Sequence, residues 1–161
     1  MNTKQIWQAL TSNPTTETYF DGVFPIDQLK NIKSKPELII CNTDPSTKPG
    51  QHWVLFFFYN DTVDFFDSLG KSMDYYGNEF VDFAKKFSSK FQTSLIRTQP
   101  KNTALCGHYC LYFAHKRCNG ESMENIIKSM KSPDQVLRFV NSKFQFCSSN
   151  NCALFQTCSK C

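Results

Sequence analysis

The sequence contains no apolar run long enough to cross a membrane. Its longest such run, from Trp53 to Tyr59, is too short and too aromatic, because a spanning helix needs about 20 apolar residues. The first residues, Met1 to Trp7, also lack the long apolar region of a signal peptide. We therefore expect a soluble, intracellular protein that does not associate with membranes.

A dense run of basic residues is also missing, although the charge is unevenly distributed. Lys and Arg number 18 against 14 Asp and Glu, for a net charge of +4, and residues 101–161 alone hold eight basic and three acidic side chains. Such a segment could attract nucleic acid, but a solvated basic face is its commoner explanation. A non-catalytic nucleic-acid-binding or scaffold protein is therefore kept as one alternative.

The chain shows no internal repeat and no sign of a second domain. With 161 residues, 40% of them hydrophobic, it can bury one core of its own. We assign residues 1–146 to one domain and residues 147–161 to a polar, cysteine-rich tail. An even number of cysteines, eight here, would suggest disulfides in a short secreted chain. Because no signal peptide is visible, free thiols are the better expectation.

The tail holds half of these cysteines, namely Cys147, Cys152, Cys158 and Cys161. Four thiolates can bind zinc tetrahedrally. The tail has a single C-x2-C pair, however, and its spacing is too short for an ordinary zinc ribbon, so disulfides or a mobile tail are favoured over zinc. His108 and His115 lie two helical turns apart, too far for one metal ion, and are interpreted as structural. We predict no metal site.

Helices are predicted at both ends of the chain and strands in its middle. Apolar spacing and capping residues predict helices at 3–10, 25–29, 74–91, 106–115, 122–130 and 133–143. The predicted strands are 37–42, 53–59, 63–67 and 93–98. A tight turn at Asn60-Asp61 joins the second and third of these strands into a hairpin. This order predicts an α+β fold.

A cysteine at the start of a predicted helix is the candidate nucleophile. Cys106 follows a loop and opens the helix, where partial positive charge and free N–H groups favour the thiolate. Gly107 follows it, and glycine allows a substrate backbone to come close. A cysteine on an apolar helix is more often only a small buried side chain. Cys106 alone therefore does not define a site.

Three further residues could support this nucleophile. His52 precedes the strand that begins at Trp53, and Asp67 closes the next strand. A hairpin brings its two open ends together, so we expect the two side chains to be neighbours, the imidazole acting as base and the carboxylate orienting it. Gln99, on the loop before Cys106, could donate to a substrate oxyanion. Packing or turn formation explains each residue taken singly. The hypothesis of a catalytic site therefore rests on the order in which all of them occur in the sequence.

That order resembles the adenovirus protease (adenain) family, within the wider group of SUMO- and ubiquitin-like-specific proteases. The motifs that carry the resemblance are Gly50-Gln51-His52-Trp53, Phe66-Asp67-Ser68-Leu69-Gly70, Gln99 and Ala104-Leu105-Cys106-Gly107. The seven-position step from Gln99 to Cys106 is closer to the adenoviral branch. Asp67 stands where adenoviral enzymes usually carry glutamate, whereas the other branch uses aspartate.

The resemblance implies a papain-like cysteine endopeptidase with a central mixed sheet and helices on both sides. The implied roles are general base for His52, orienting carboxylate for Asp67, nucleophile for Cys106, oxyanion donor for Gln99, and substrate contacts for Trp53 and Gly107. Trp53 is further expected to stack near the imidazole.

The substrates implied by the resemblance are precursor proteins of a virus or a virus-derived element. Cleavage would fall at Gly-X-Gly-like sites during virion maturation, in the virion or in the host nucleus or cytoplasm. The protein is expected to be a monomer that requires no cofactor. Activation by DNA or by a peptide is left open, although no cysteine lies between Cys41 and Cys106 to tether a peptide there. An isopeptidase that removes ubiquitin-like or SUMO modifiers is the alternative enzyme.

Overall fold

The computed structural model describes residues 1–146. The predicted tail, with Cys147, Cys152, Cys158 and Cys161, lies outside the described residues. The α-helices are α1 (Thr3–Thr11), α2 (Asn78–Phe87), α3 (Cys106–Cys118), α4 (Met123–Ser129) and α5 (Pro133–Lys143). The strands are β1 (Phe20–Pro25), β2 (Leu38–Asn42), β3 (Trp53–Tyr59), β4 (Thr62–Phe66) and β5 (Lys90–Thr93), and 3₁₀ helices cover Ile26–Asn31 and Met73–Tyr76.

The five strands form one mixed sheet in the order β1-β2-β3-β4-β5. The outer pairs, β1 with β2 and β4 with β5, are parallel, whereas β3 is antiparallel to both of its neighbours. The β3–β4 hairpin turns through Asn60 and Asp61, between the paired residues Tyr59 and Thr62. Asn60 adopts a positive φ of 49°, as a tight hairpin turn requires.

Helices cover both faces of the sheet. On one face, Leu55 and Phe57 of β3 join a core shared with α1, α3, α4 and α5. On the other face, Val54, Phe56 and Phe58 pack with α2 and the 3₁₀ helix at Ile26–Asn31. Burial on both faces explains why β3 is an uninterrupted apolar run rather than an alternating one. The predicted α+β fold, with a central mixed sheet between helices, is confirmed.

The predicted helix at 74–91 is wrong at both ends. Residues 73–76 form a 3₁₀ helix, and Gly77 separates it from α2 with a φ of 117°. Ser88 then has an extended backbone, which ends α2 at Phe87. Phe91, the last residue of the predicted helix range, lies in β5 and is 41% exposed.

Two edge strands also differ from the prediction. The last strand occupies Lys90–Thr93 rather than 93–98, because its pairing with β4 on one side only leaves most of its side chains exposed and its pattern weak. The first strand, Phe20–Pro25, was not predicted. It contains aspartate, glycine and proline, which are rare in strand interiors and are tolerated at an edge. No helix within residues 1–146 has the length and apolarity needed to span a membrane.

Candidate active site

The open end of the β3–β4 hairpin places His52 beside Asp67. His52 directly precedes β3, and Asp67 directly follows β4. The Nε2 atom of His52 lies 2.6 Å from Oδ1 of Asp67. Both side chains are buried, Asp67 completely. A short hydrogen bond of this kind fixes the orientation of the imidazole ring.

Four donors hold the Asp67 carboxylate. In addition to His52, the backbone N–H of Leu69 donates to Oδ1 over 2.8 Å. The Lys71 N–H, at 3.1 Å, and the Tyr76 hydroxyl, at 2.8 Å, donate to Oδ2. Burial acts to raise the pKa of Asp67, but the hydrogen bond and charge of His52, with the other donors, hold it below its ordinary value. The carboxylate is thus a fixed negative charge.

Tyr76 is a site residue that the sequence did not reveal. Its ring is stacked on His52, with centroids 6.0 Å apart and planes 27° apart, while its hydroxyl holds Asp67. The ring stacked on the imidazole is therefore that of Tyr76, although Trp53 was the expected neighbour. Residue 76 had been placed inside a regular helix, and no sequence signal related it to His52.

Cys106 begins α3, where no side chain caps the helix. Burial alone raises the pKa of the Cys106 thiol. The hydrogen bond from His52 and those from the backbone N–H groups of Trp53 and Gly107 lower it, and the net direction is downward. Because Nε2 of His52 is engaged by Asp67, the ring nitrogen left for the sulfur is Nδ1. The imidazole thus lies between carboxylate and sulfur.

The pKa of His52 rises, opposite to the shift of the Cys106 pKa. Burial acts to lower it, but hydrogen bonds and charge interactions with Asp67 and Cys106 raise it to about 9. The opposite shifts of the two pKa values favour an imidazolium next to a thiolate over a neutral pair. This pair has the charge distribution of an activated cysteine nucleophile.

The other described cysteines differ from Cys106. Burial raises the pKa of Cys41 and of Cys110 well above the ordinary value, and that of Cys118 to about 12. The sulfur of Cys110 donates a hydrogen bond to the Trp53 carbonyl over 3.4 Å. Within residues 1–146, Cys106 is thus the thiol with a lowered pKa, and the raised pKa values of the other three disfavour their thiolate forms.

Gln99 lies in the same cleft with its amide held at both ends. The Ser68 hydroxyl donates to Oε1 over 2.8 Å, and Nε2 donates to the Thr103 carbonyl over 2.5 Å. The side chain is buried. A primary amide has two N–H donors, so Nε2 keeps one for a group bound next to Cys106.

The cleft that is lined by His52, Gln99 and Cys106 has a volume of about 700 Å³. It is lined by residues 1–3, by the end of β1 at residues 23–25, by residues between 42 and 53, and by Leu69, Gln99, Thr103, Ala104 and Cys106. The Trp53 indole N–H donates to the Met1 carbonyl over 3.1 Å. An open groove of this size, lined by both apolar and polar residues, has room for several residues of an extended polypeptide.

The two remaining histidines lie outside this arrangement. His115 is packed against Phe139 and Phe144, and the pKa of His108 is lowered by burial and by the amino group of Met1. In the part of the chain that the structure describes, no group of three or more His, Cys, Asp or Glu side chains is placed to hold a metal ion.

The fold is shared with a protease of known structure. The ASFV pS273R protease matches with a TM-score of 0.60 at 18% identity, over 90% of this chain and 65% of that protein. A Se-Met crystal structure of the same protease gives 0.55 at 14% identity, over 91% of this chain and 67% of that one. The chain thus spans about two thirds of that protease's length. No family model matches it, and neither does any curated protein.

At these identities the likeness establishes the fold, which is that of a protease, and does not single out the adenoviral branch. The chemistry has to be argued from the side chains of this chain. The predicted His52, Gln99 and Cys106 line one cleft, and the predicted Asp67 is buried behind it, hydrogen-bonded to His52.

Proposed function

We propose that this protein is a cysteine endopeptidase whose nucleophile is Cys106. The observation that carries the proposal is the placement of one buried imidazole between a fully hydrogen-bonded carboxylate and a helix-terminal sulfur. Each of these groups has its pKa moved in the direction that peptide cleavage requires. A scaffold protein has no need of such an arrangement.

The chemical steps follow from this arrangement. The Cys106 thiolate attacks the scissile carbonyl carbon, and the oxyanion that forms accepts hydrogen bonds from the free N–H of Gln99 and from the N-terminus of α3. The His52 imidazolium then gives its proton to the leaving amine, which departs and leaves a thioester on Cys106. The neutral His52 next removes a proton from water, which hydrolyses the thioester and releases the acid product.

The substrates are polypeptides, and precursor proteins of a virus or virus-derived element are our first choice. The open cleft accepts an extended chain, and a protease of ASFV shares the fold. Within that class we retain an adenain-type enzyme that cuts at Gly-X-Gly-like sites during virion maturation. It would act without a cofactor, because cysteine and water supply the chemistry, and the expected monomer belongs to the same proposal. Activation of the enzyme by DNA or by a peptide is part of the same proposal.

The test begins with the sulfur. Wild-type protein and the Cys106→Ala variant are treated with iodoacetamide at pH 6 and at pH 8, and the labelled cysteines are identified by mass spectrometry. Cys118 is the matched control, because it is half-buried and the pKa of its thiol is raised to about 12. Rapid labelling of Cys106 at both pH values, with slow labelling of Cys118, is expected. Equal, slow labelling of both sulfurs would contradict the proposal.

Cleavage is then measured with precursor-derived peptides and with ubiquitin-like probes ending in glycine. Cys106→Ser is expected to abolish turnover while leaving the circular dichroism spectrum unchanged. Reaction with the modifier probes but not with peptides would replace the endopeptidase by the isopeptidase. Cleavage that survives in Cys106→Ser would exclude Cys106 as nucleophile.

A further inference from the structure

The first residue of the chain is part of the cleft wall, and its backbone is held there from two sides. The Met1 carbonyl accepts the hydrogen bond from the Trp53 indole over 3.1 Å. The next residue, Asn2, caps α1 through reciprocal hydrogen bonds with Gln5, both of 2.9 Å. Such a capping box fixes the entry of the chain into the helix. Met1 therefore has a defined place relative to β3.

The Met1 side chain lies against the residue that follows the nucleophile. A Cβ atom added at Gly107 would be 3.1 Å from both Cβ and Sδ of Met1, and 3.5 Å from Cγ. At these distances a side chain at position 107 would require Met1 to shift by a few tenths of an ångström, so the Met1 side chain lies in close contact with the first turn of α3. Met1 is half-buried and packs against the core cluster that contains Cys106 and Trp53.

Met1 and Cys106 both line the cleft, and the Met1 side chain lies against Gly107, the residue that follows the nucleophile. A bound acyl group has to lie next to Cys106, because the carbonyl carbon must reach the sulfur. A substrate side chain at that carbonyl that points toward the first turn of α3 meets the Met1 side chain. Methionine fills irregular space and is flexible, so it can limit the size of a neighbouring group without closing the cleft.

We propose that Met1 is a specificity-determining residue that admits only small groups next to the Cys106 sulfur. The substrate part of this inference rests on the proposed peptidase function, and the steric part does not. A polypeptide with glycine or alanine at the reacting carbonyl fits this wall, whereas a branched or aromatic side chain there collides with Met1.

The steric part is tested by alkylation, which needs only the thiolate. The rates at Cys106 are measured with iodoacetamide and with the bulkier N-benzyliodoacetamide, which carries the same reactive group. Wild type, Met1→Ala and Met1→Leu are each released from a fusion partner so that residue 1 is the first residue. Met130→Ala is the matched control, since Met130 is buried in the same core cluster and does not line the cleft.

Met1→Ala is expected to raise the ratio of the N-benzyliodoacetamide rate to the iodoacetamide rate at Cys106 by about tenfold. This is the order of discrimination that one or two methylene groups give in a pocket. Met1→Leu and Met130→Ala should keep the wild-type ratio. If Met1→Ala folds poorly, Met1→Val replaces it, because valine keeps an apolar contact with the core and removes the thioether end, and it should move the ratio in the same direction. An unchanged ratio in the folded variant would overturn the inference.

Peptides with glycine or leucine at the reacting carbonyl then test the substrate part. We expect wild type to prefer glycine strongly and Met1→Ala to lose much of that preference through faster cleavage of the leucine peptide. Should wild type cleave neither peptide while the alkylation ratio still responds to Met1→Ala, the peptidase function fails and the steric role of Met1 stands. If both enzymes cleave with the same preference, Met1 does not determine specificity.

Discussion

The Ser68 hydroxyl donates a hydrogen bond of 2.8 Å to Oε1 of Gln99, from a position 31 residues earlier in the chain. The Ser68 carbonyl also accepts the backbone N–H of Gln99 over 2.9 Å. Ser68 directly follows Asp67, so one turn places the carboxylate that orients His52 and also helps to fix the orientation of the Gln99 amide. With Oε1 held by Ser68 and one N–H of Nε2 held by the Thr103 carbonyl, the second N–H of Nε2 is the donor left for the substrate.

Ser68→Ala tests this positioning role. The variant loses the donor that sets the amide orientation, so we expect kcat to fall about tenfold, less than the ~100-fold that loss of an oxyanion donor costs. KM should change little, because the amide acts on the transition state. Gln99→Ala should lower kcat further than Ser68→Ala, again with KM nearly constant.

Ser88→Ala is the matched control for that experiment. Ser88 is also buried, but its hydroxyl has no hydrogen-bond partner and it does not line the cleft. Its removal should leave kcat and KM unchanged. Equal kcat in Ser68→Ala and wild type would show that Gln99 is oriented by other contacts.

The pH dependence of kcat/KM follows from the opposite pKa shifts of Cys106 and His52. The reactive form is the thiolate with the imidazolium, which exists between the two titrations. Activity should rise as the Cys106 thiol loses its proton below its ordinary pKa. It should fall again as the His52 imidazolium loses its proton near pH 9. A profile that only rises through pH 9 would indicate a neutral thiol–imidazole pair instead.

Asp67→Asn is expected to narrow the pH range of activity at both its acidic and its alkaline limit. Without the carboxylate, the pKa of His52 loses its strongest raising influence and falls. The thiolate then loses part of its partner charge, so the pKa of Cys106 rises. The check is the pH dependence of Cys106 alkylation by iodoacetamide, in which the rate at pH 6 should drop most.

Tyr76→Phe serves as the comparison for Asp67→Asn. It removes one hydrogen bond to Oδ2 and keeps both the carboxylate and a ring stacked on His52. Its pH profile should lie much closer to that of wild type. If both variants narrow the range equally, the hydroxyl of Tyr76 rather than the charge of Asp67 controls the pair.

The hairpin shows why part of the site could be predicted from sequence. A turn at Asn60-Asp61 fixes the register of β3 and β4, and the register determines that His52 and Asp67 share one end. Cys106 could be placed at a helix start because the loop before it and the apolar run after it are both local signals. These three positions depend on elements whose bounds the sequence makes clear.

Tyr76 and Met1 could not be predicted because their positions depend on tertiary packing. Tyr76 reaches Asp67 from a 3₁₀ helix, whose short span has no apolar periodicity to identify it. Met1 meets Trp53 across 52 positions of chain. The edge strands β1 and β5 were missed or misplaced for a related reason, since one-sided pairing leaves little hydrophobic pattern to detect.

A buried ion pair between Arg117 of α3 and Asp64 of β4 gives a prediction for stability rather than activity. Nε of Arg117 lies 2.7 Å from Oδ2 of Asp64, which is completely buried. The guanidinium also lies over the Tyr59 ring, 4.3 Å from its centroid. Burial raises the pKa of Asp64 and outweighs the lowering by Arg117, so this carboxylate depends on its partner to stay charged.

Arg117→Met should therefore lower the free energy of unfolding by about 3 kcal/mol at neutral pH, because it leaves a buried charge unpaired. The pKa of Asp64 is already raised in the folded state, so protonation at lower pH relieves the unpaired charge and the loss should shrink as the pH falls. Lys128→Met is the control, since its pair with Glu124 is exposed and should contribute nothing measurable. Urea unfolding at neutral and acidic pH measures both variants. Equal midpoints for Arg117→Met and Lys128→Met at neutral pH would mean that water reaches Asp64 and replaces the arginine.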